Sequence, residues 1–153
     1  LRISCARPAE SLPTAASWTN QINQCNARLG FSVSTAGDVN GDGYSDLIAG
    51  APWYSRYCGQ DGQAQVFHGS STGLSASAAW TVDANQCSSY FGYSVSTAGD
   101  VNGDGYSDVI VGSPRFDNSY TDEGQAFVYF GSSSGLSINS GWRHLQRASC
   151  FAR

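Results

Sequence analysis

The chain has 153 residues and a mass of 16.2 kDa, which suits one domain and is too short for two ordinary ones. Hydrophobic residues make up 41%, so a packed core is expected. The formal net charge of −4 argues against nucleic acid as the main partner. No apolar run approaches the roughly 20 residues of a membrane span. The start of the chain lacks the pattern of a signal peptide, so we expect any such peptide to have been removed.

An internal repeat with an offset of 62 residues organises the chain. Residues 30–52 and 92–114 are identical at 19 of 23 positions, and the same offset relates Trp18, Trp80 and Trp142. Repeats of this length indicate one supersecondary unit stacked on the next. We therefore predict a partial repeat at residues 1–29, equivalent to the second half of a unit, followed by full repeats at residues 30–91 and 92–153.

Each full repeat is predicted to form four short β-strands. In the first repeat these are residues 31–36, 46–49 and 63–68, followed by a strand around Trp80. Residues 108–111 and 125–130 are the counterparts of the second and third strands. Turn-forming sequences such as GDVNGDG and GSSTGLS separate the strands, and no segment shows a helical period. The pattern is all-β and typical of a propeller blade or a stacked β array.

In each repeat, one acidic loop follows the first predicted strand. Oxygen-bearing side chains occupy loop positions 1, 3, 5 and 9, and glycine occupies position 6, where the chain must turn sharply. Ca²⁺ takes six to eight oxygen ligands, and the residue at position 7 would add a backbone carbonyl. Position 12 is Ala49 or Val111 rather than the Glu of an EF-hand. A solvated turn is the alternative, but its three carboxylates would repel one another. The predicted calcium ligands are Asp38, Asn40, Asp42, Tyr44 and Asp46 in the first loop, and Asp100, Asn102, Asp104, Tyr106 and Asp108 in the second.

The sequence around these loops resembles FG-GAP repeats, the units of the integrin α-subunit propeller and of many bacterial surface proteins. Residues 91–92 supply FG and residues 50–52 supply GAP, whereas residues 29–30 (LG) and 112–114 (GSP) each depart at one position. The resemblance implies four-stranded blades, here two full repeats plus a half repeat, with calcium between the first and second strands. It also implies an extracellular or cell-surface setting and an adhesive or architectural role.

The five cysteines form no CxxC pair and only two histidines could join them, so a zinc site is unexpected. The acidic loops and the absence of Lys favour an oxidising exterior. Cys25 and Cys87 precede first strands, and Cys58 lies between a second and a third strand. In a four-stranded up-and-down blade these connections emerge on the same face. We therefore predict a Cys25–Cys58 disulfide, with Cys58–Cys87 as the second choice. Buried thiols are the alternative, and the odd count leaves a thiol or an interchain bridge.

The tryptophans and histidines offer few other candidates. The three repeated tryptophans are predicted to pack between repeats, with a sugar-stacking platform as the alternative. Trp53 occurs once and is expected to be exposed. His68 and His144 lie at different phases of the repeat and are predicted to be surface or hydrogen-bonded histidines. The chain contains none of the familiar catalytic motifs, so we expect no enzyme.

The charge is unevenly distributed along the chain, either by chance and for solubility or because unlike charges on separate copies attract each other. Residues 1–7 carry +2 and residues 143–153 carry +3, whereas the acidic residues all lie between them. The leading hypothesis is a secreted, calcium-binding structural protein that self-assembles through its chain ends into a filament or ring. One alternative is a lectin-like or protein-binding adhesin that uses loops and Trp53 to hold a glycan or protein ligand. The other is the accessory propeller part of a larger secreted enzyme.

Overall fold

The computed structural model describes residues 16–56 and 59–143, which form two four-stranded antiparallel sheets. The first sheet, blade 1, comprises β1 (Ser32–Gly37), β2 (Asp46–Ala51), β3 (Gln63–Phe67) and β4 (Trp80–Asp83). The second, blade 2, comprises β5 (Ser94–Gly99), β6 (Asp108–Ser113), β7 (Gln125–Tyr129) and β8 (Trp142–Arg143). Each strand pairs with the next one along the chain. The prediction of an all-β fold built from four-stranded blades is confirmed.

The two blades have the same strand register. Ser32 pairs with Gly50 in blade 1, and Ser94 pairs with Gly112 in blade 2. A bulge interrupts the first strand pair at the same place in both blades, just before Gly37 and Gly99. Both glycines have positive φ, which suits a residue without Cβ. The sequence repeat is therefore also a repeat of backbone geometry.

The main core lies between the two blades. One cluster of buried side chains contains Ile48 and Val66 from blade 1 together with Val111 and Phe127 from blade 2. Phe91, which is fully buried, packs against Phe127 with ring centroids 5.4 Å apart. Two sheets with short strands thus bury their apolar side chains against each other, as stacked repeats must.

Trp80 on β4 extends the packing from blade 1 onto blade 2. Its ring meets Tyr129 edge-to-face at 4.9 Å, and its indole N–H donates to the carbonyl of Ser137 at 2.9 Å. Aromatic pairs of this kind add to the energy of area burial. Trp80 is buried, so a packing role is confirmed for it.

Trp18 makes the same two contacts one repeat earlier. Its ring lies 4.9 Å from that of Phe67, and its N–H donates to the Ser75 carbonyl at 2.9 Å. The segment before blade 1 therefore packs a tryptophan on blade 1 in the same way that β4 packs Trp80 on blade 2. The side chain of Trp142 and the whole of His144 lie outside the described residues.

Several expectations concern the parts of the chain beyond those ranges. The basic chain ends predicted to mediate assembly lie largely outside the described residues, and the repeat boundaries stay a prediction. Within residues 16–56 and 59–143, no helix is long and apolar enough to cross a membrane.

Candidate metal centre

The first acidic loop joins β1 to β2 and winds around the carboxylate of Asp38. One oxygen of that carboxylate accepts hydrogen bonds from the backbone N–H groups of Gly41 at 2.7 Å and Asp42 at 3.1 Å. The other accepts from the N–H of Gly43 at 2.9 Å. Gly43 has a φ of +88°, which an L side chain rarely adopts. The local sequence thus sets the loop's path.

The second acidic loop, between β5 and β6, repeats this arrangement. Asp100 accepts from the N–H groups of Gly103 at 2.7 Å, Asp104 at 3.1 Å and Gly105 at 2.8 Å. These three N–H groups hold the pKa of Asp100 below its ordinary value, and that of Gly105 has the largest effect. Asp100 is therefore ionised across the neutral pH range.

The middle of the first loop brings two predicted ligands together. The amide of Asn40 donates to Asp42 at 2.9 Å, while its oxygen accepts from the Asp42 N–H at 3.1 Å. Asp42 also accepts from the N–H of Tyr44 at 2.9 Å. The Tyr44 N–H is the main cause that lowers the pKa of Asp42, followed by the Asn40 amide. Asn102, Asp104 and Tyr106 make the same contacts in the second loop, at 2.8 to 3.0 Å.

Asp46, at the ninth position of the first loop, is buried and tied to the backbone on two sides. Its carboxylate accepts from the N–H of Val39 at 2.9 Å and from the N–H of Gly69 at 2.8 Å. A carboxylate has about four lone-pair sites, so these two bonds leave acceptor capacity for a cation. Asp108 repeats the arrangement with Val101 and Gly131. Asp46 and Asp108 therefore bond the end of each loop both to its start and to the segment that follows the third strand of the same blade.

The donor set of each loop suits Ca²⁺ because every predicted ligand atom is an oxygen. Hydrogen bonds connect the first four predicted ligands of each loop, whereas the ninth-position Asp bonds to other residues: Asp46 to Val39 and Gly69, and Asp108 to Val101 and Gly131. It does not assemble a metal cluster of three or more His, Cys, Asp or Glu side chains anywhere in the part of the chain that it describes. His68 lies beside the first loop, with its Nδ1 atom 3.4 Å from the Asn40 amide nitrogen, as expected of a hydrogen-bonded histidine.

The two loops contact each other, which the sequence did not indicate. The hydroxyl of Ser107, in the second loop, accepts from the N–H of Asp38 at 3.1 Å. The N–H of Ser132, which follows β7, adds a further contact by donating to the carbonyl of Val39 at 3.1 Å. The ring of Tyr106 covers Gly41, where a Cβ atom would lie 2.6 Å from the ring. These contacts join residues far apart in the sequence. The only signal for them in the sequence is that Tyr and Ser recur at the same two positions of both acidic loops.

A second cluster lies at the other end of the strands, where β2 leads towards β3. The ring of Trp53 lies 4.8 Å from Phe31 and 5.9 Å from Tyr90, and the guanidinium of Arg28 lies 4.3 Å from the Trp53 centroid. Trp53 is half-buried, so the expectation that it is exposed is wrong. The neighbouring cleft, of about 540 Å³, is lined by Trp53, Tyr90, Tyr93, Pro114, Arg115 and Asp122. We call these residues the aromatic cleft.

Two of the cysteines considered above are described. Cys25 lies in the segment before β1, and Cys87 lies between β4 and β5. Cys58 lies outside the described residues, so the Cys25–Cys58 pairing stays a prediction.

Comparison with known proteins matches both blades to one family. The FG-GAP repeat family matches residues 29–67 and 91–129, together just over half of the chain. Each match begins beside the FG position, includes one acidic loop and ends at the third strand of a blade.

Similar curated proteins are integrin α subunits. Chicken integrin alpha-V is 34% identical over 112 residues, which cover 70% of this chain and 10% of that protein. Mouse integrin alpha-E is 38% identical over 94 residues, or 58% of this chain and 8% of that protein. Drosophila integrin alpha-PS2 is 34% identical over 119 residues, or 73% of this chain and 8% of that protein. The chain thus spans about a tenth of the length of these relatives. It belongs to the FG-GAP repeat family and is an extracellular or cell-surface module of the integrin α propeller type.

Proposed function

We propose that the chain is a non-catalytic, adhesion-related module that binds one Ca²⁺ in each acidic loop and assembles with copies of itself. The observation that carries the calcium proposal is the hydrogen-bond network of the two loops, which recurs with the same partners and nearly the same distances. The similarity to integrin α subunits supports the adhesive role.

Bound calcium would act as a structural element. The first loop would hold the ion with Asp38, Asn40, Asp42 and Asp46 and with the carbonyl of Tyr44, and the second with the equivalent residues. Three carboxylates in one loop repel one another, and a divalent cation offsets that repulsion. Because the first loop bonds directly to blade 2, stiffening it would also stiffen the junction between the blades.

Isothermal titration of the full chain with calcium tests this part of the proposal. We expect two sites in the wild type, one in Asp42→Ala, one in Asp104→Ala, and none in the double variant. Glu123→Gln is the matched control, since it removes one exposed negative charge outside both loops and should retain two sites. Absence of calcium binding to the folded wild type would overturn the proposal.

Self-assembly is the second part of the proposal. Within the chain, one unit of this sequence packs on another, and the side chains of Val39 and Ile48 are fully buried in that contact. The same kind of contact could join separate copies. Sedimentation velocity in calcium should show a mass that grows with protein concentration. A monomer throughout the micromolar range would overturn this part alone.

The aromatic cleft favours a second candidate function, the binding of a glycan or protein ligand. Tyr93 is 45% exposed and lies beside Trp53, and aromatic rings with nearby charged groups suit ligands that have both apolar and polar faces. A glycan array probed with wild type and with Tyr93→Ala tests it. Binding that is lost in the variant supports this candidate, and the absence of any bound glycan removes its lectin-like form.

A further inference from the structure

Val39 and Val101 occupy the same position in the two blades but have opposite environments. Val39 is fully buried between the blades, whereas Val101 is 56% exposed. Each lies at the end of an Ala-Gly-Asp-Val sequence, which we call the AGDV segment, at residues 36–39 and 98–101. The difference arises because blade 2 covers the first AGDV segment.

The surface of blade 2 that receives the first AGDV segment is visible in detail. Val39 lies in one buried cluster with Val109 and Leu136. Ser107 bonds to the backbone of Asp38, and a Cβ atom on Gly37 would collide with the Ser107 side chain. We call the side chains of Val95, Thr97, Ser107, Val109 and Leu136 the seat of blade 2.

Blade 1 has the same seat, and no other part of residues 16–56 and 59–143 covers it. The residues one repeat earlier are Val33, Thr35, Ser45, Leu47 and Leu74. Together with two of their neighbours they line a groove of about 390 Å³. Val33 is 61% exposed, although its counterpart in blade 2 packs against the buried core. A monomer rarely exposes a contiguous apolar surface of this kind without a use for it.

We propose that the seat of blade 1 binds the AGDV segment at residues 98–101 of a second copy of the chain. This inference rests on the proposed self-assembly and names the surfaces that carry it. The ligand chemistry is known from the molecule itself, because residues 36–39 and 98–101 have the same sequence and the two seats differ only in Leu47 for Val109.

The geometry of the second AGDV segment fits this role. Around Gly99 there is no atom within 4 Å of an added Cβ, whereas Gly37 is in tight contact with Ser107. Ser45 of the copy that supplies the seat would take the place of Ser107, with its hydroxyl and N–H facing the backbone of Asp100 in the second copy. Within the chain, the equivalent Ser107 makes those two hydrogen bonds to the backbone of Asp38, at 3.1 and 2.9 Å.

The contact is head-to-tail, since it joins the seat of one copy to the AGDV segment of the next. Such a heterologous contact leaves a free seat and a free segment at the ends of every open assembly, so growth continues until a ring closes. The proposal therefore predicts that blocking either surface stops growth, and that the two kinds of blocked chain complement each other.

Two variants and their mixture test the proposal by sedimentation velocity in saturating calcium. Val33→Arg blocks the seat, and Val101→Asn makes the AGDV segment polar. Each variant alone should self-associate at least about tenfold more weakly than the wild type. An equimolar mixture should form a one-to-one dimer and stop there, because Val33→Arg retains its segment and Val101→Asn retains its seat. Ile138→Asn, at an apolar side chain that is 75% exposed in another loop, should assemble like the wild type.

The outcomes separate this inference from the proposed function. If both variants assemble like the wild type, assembly uses another surface and the inference is wrong, while self-assembly itself stands. If circular dichroism shows both variants folded and their mixture stays monomeric, the inference is wrong as well. Ser45→Arg supplies a second change in the seat should Val33→Arg not fold. Calcium titration of Val33→Arg measures the calcium sites independently of assembly.

Discussion

Ser107 holds both backbone groups of Asp38, although 69 residues separate them. The hydroxyl of Ser107 accepts from the Asp38 N–H at 3.1 Å, and the Ser107 N–H donates to the Asp38 carbonyl at 2.9 Å. Asp38 is the first predicted calcium ligand of one acidic loop, and Ser107 precedes the last predicted ligand of the other. The two loops are therefore joined directly by hydrogen bonds at the junction between the blades.

Replacing Ser107 by Ala should lower the free energy of unfolding by about 0.5–1.5 kcal/mol, because one hydrogen bond at the junction is lost. Ser45→Ala removes the same hydroxyl at the equivalent, exposed position of blade 1 and should be nearly neutral in the monomeric Val101→Asn background. Urea denaturation of both variants in calcium measures the difference. Equal effects would show that the Ser107 contact does not stabilise the junction.

Gly50 and Gly112 occupy equivalent positions on the second strand of their blades and should respond differently to Ala. A Cβ atom on Gly50 would collide with the backbone carbonyl of Gly92, which cannot move without shifting the next blade. A Cβ atom on Gly112 would meet the side-chain oxygen of Ser94, which can rotate away. We expect Gly50→Ala to cost about 1–3 kcal/mol and Gly112→Ala clearly less. Thermal denaturation of the pair decides this, and a reversed order would contradict the close approach of the blades.

Trp80 should be one of the most sensitive positions outside the loops. Trp80→Ala removes a buried ring and should cost about 3–5 kcal/mol. Trp80→Phe keeps an aromatic ring but loses the bond to the Ser137 carbonyl, so a cost of about 1 kcal/mol is expected from that bond. Chemical denaturation monitored by circular dichroism measures both. If Trp80→Ala were as stable as the wild type, the packing of β4 on blade 2 would contribute nothing.

Removal of calcium should lower the melting temperature. Each site adds about 2.7 kcal/mol when free calcium exceeds its dissociation constant a hundredfold. For a chain of this size two such sites correspond to a fall of roughly 10 °C or more when EDTA is added. Magnesium at the same concentration should restore less, because Mg²⁺ requires a stricter geometry and keeps its water. Identical melting curves with calcium and with EDTA would contradict the calcium proposal.

Peptide mapping without reduction should recover a peptide pair that joins Cys25 to Cys58. The bridge would tie the segment before β1 to the connection that follows β2, where the side chain of Gln24 already bonds to the backbone of Ser55 at 2.7 Å. A linked Cys58–Cys87 pair would replace the predicted pairing and leave the blade architecture unchanged.

Local sequence determined much of the fold and of the candidate site. Alternating apolar and polar residues, together with glycine-rich turns, predicted the first three strands of blade 1 and the second and third strands of blade 2 to within two residues, and placed a fourth strand of blade 1 around Trp80. The acidic loops were recognisable because their oxygen-bearing residues lie within nine positions of one another and recur at the same spacing. These features depend on residues that are close in the sequence. Because the local sequence recurs after 62 residues, the same strands and loops form in both repeats.

Tertiary structure decided what each repeated residue contacts. Val39 and Val101 lie in the same local sequence, yet one is buried and the other exposed, because burial depends on the blade that packs against each of them. The half-buried position of Trp53 depends in the same way on Tyr90 and Arg28, which come from other parts of the chain. The sequence by itself therefore determined the blades and their loops. Only the packing of one blade on another, through contacts between residues far apart in the chain, decided which surfaces are covered and which are left exposed.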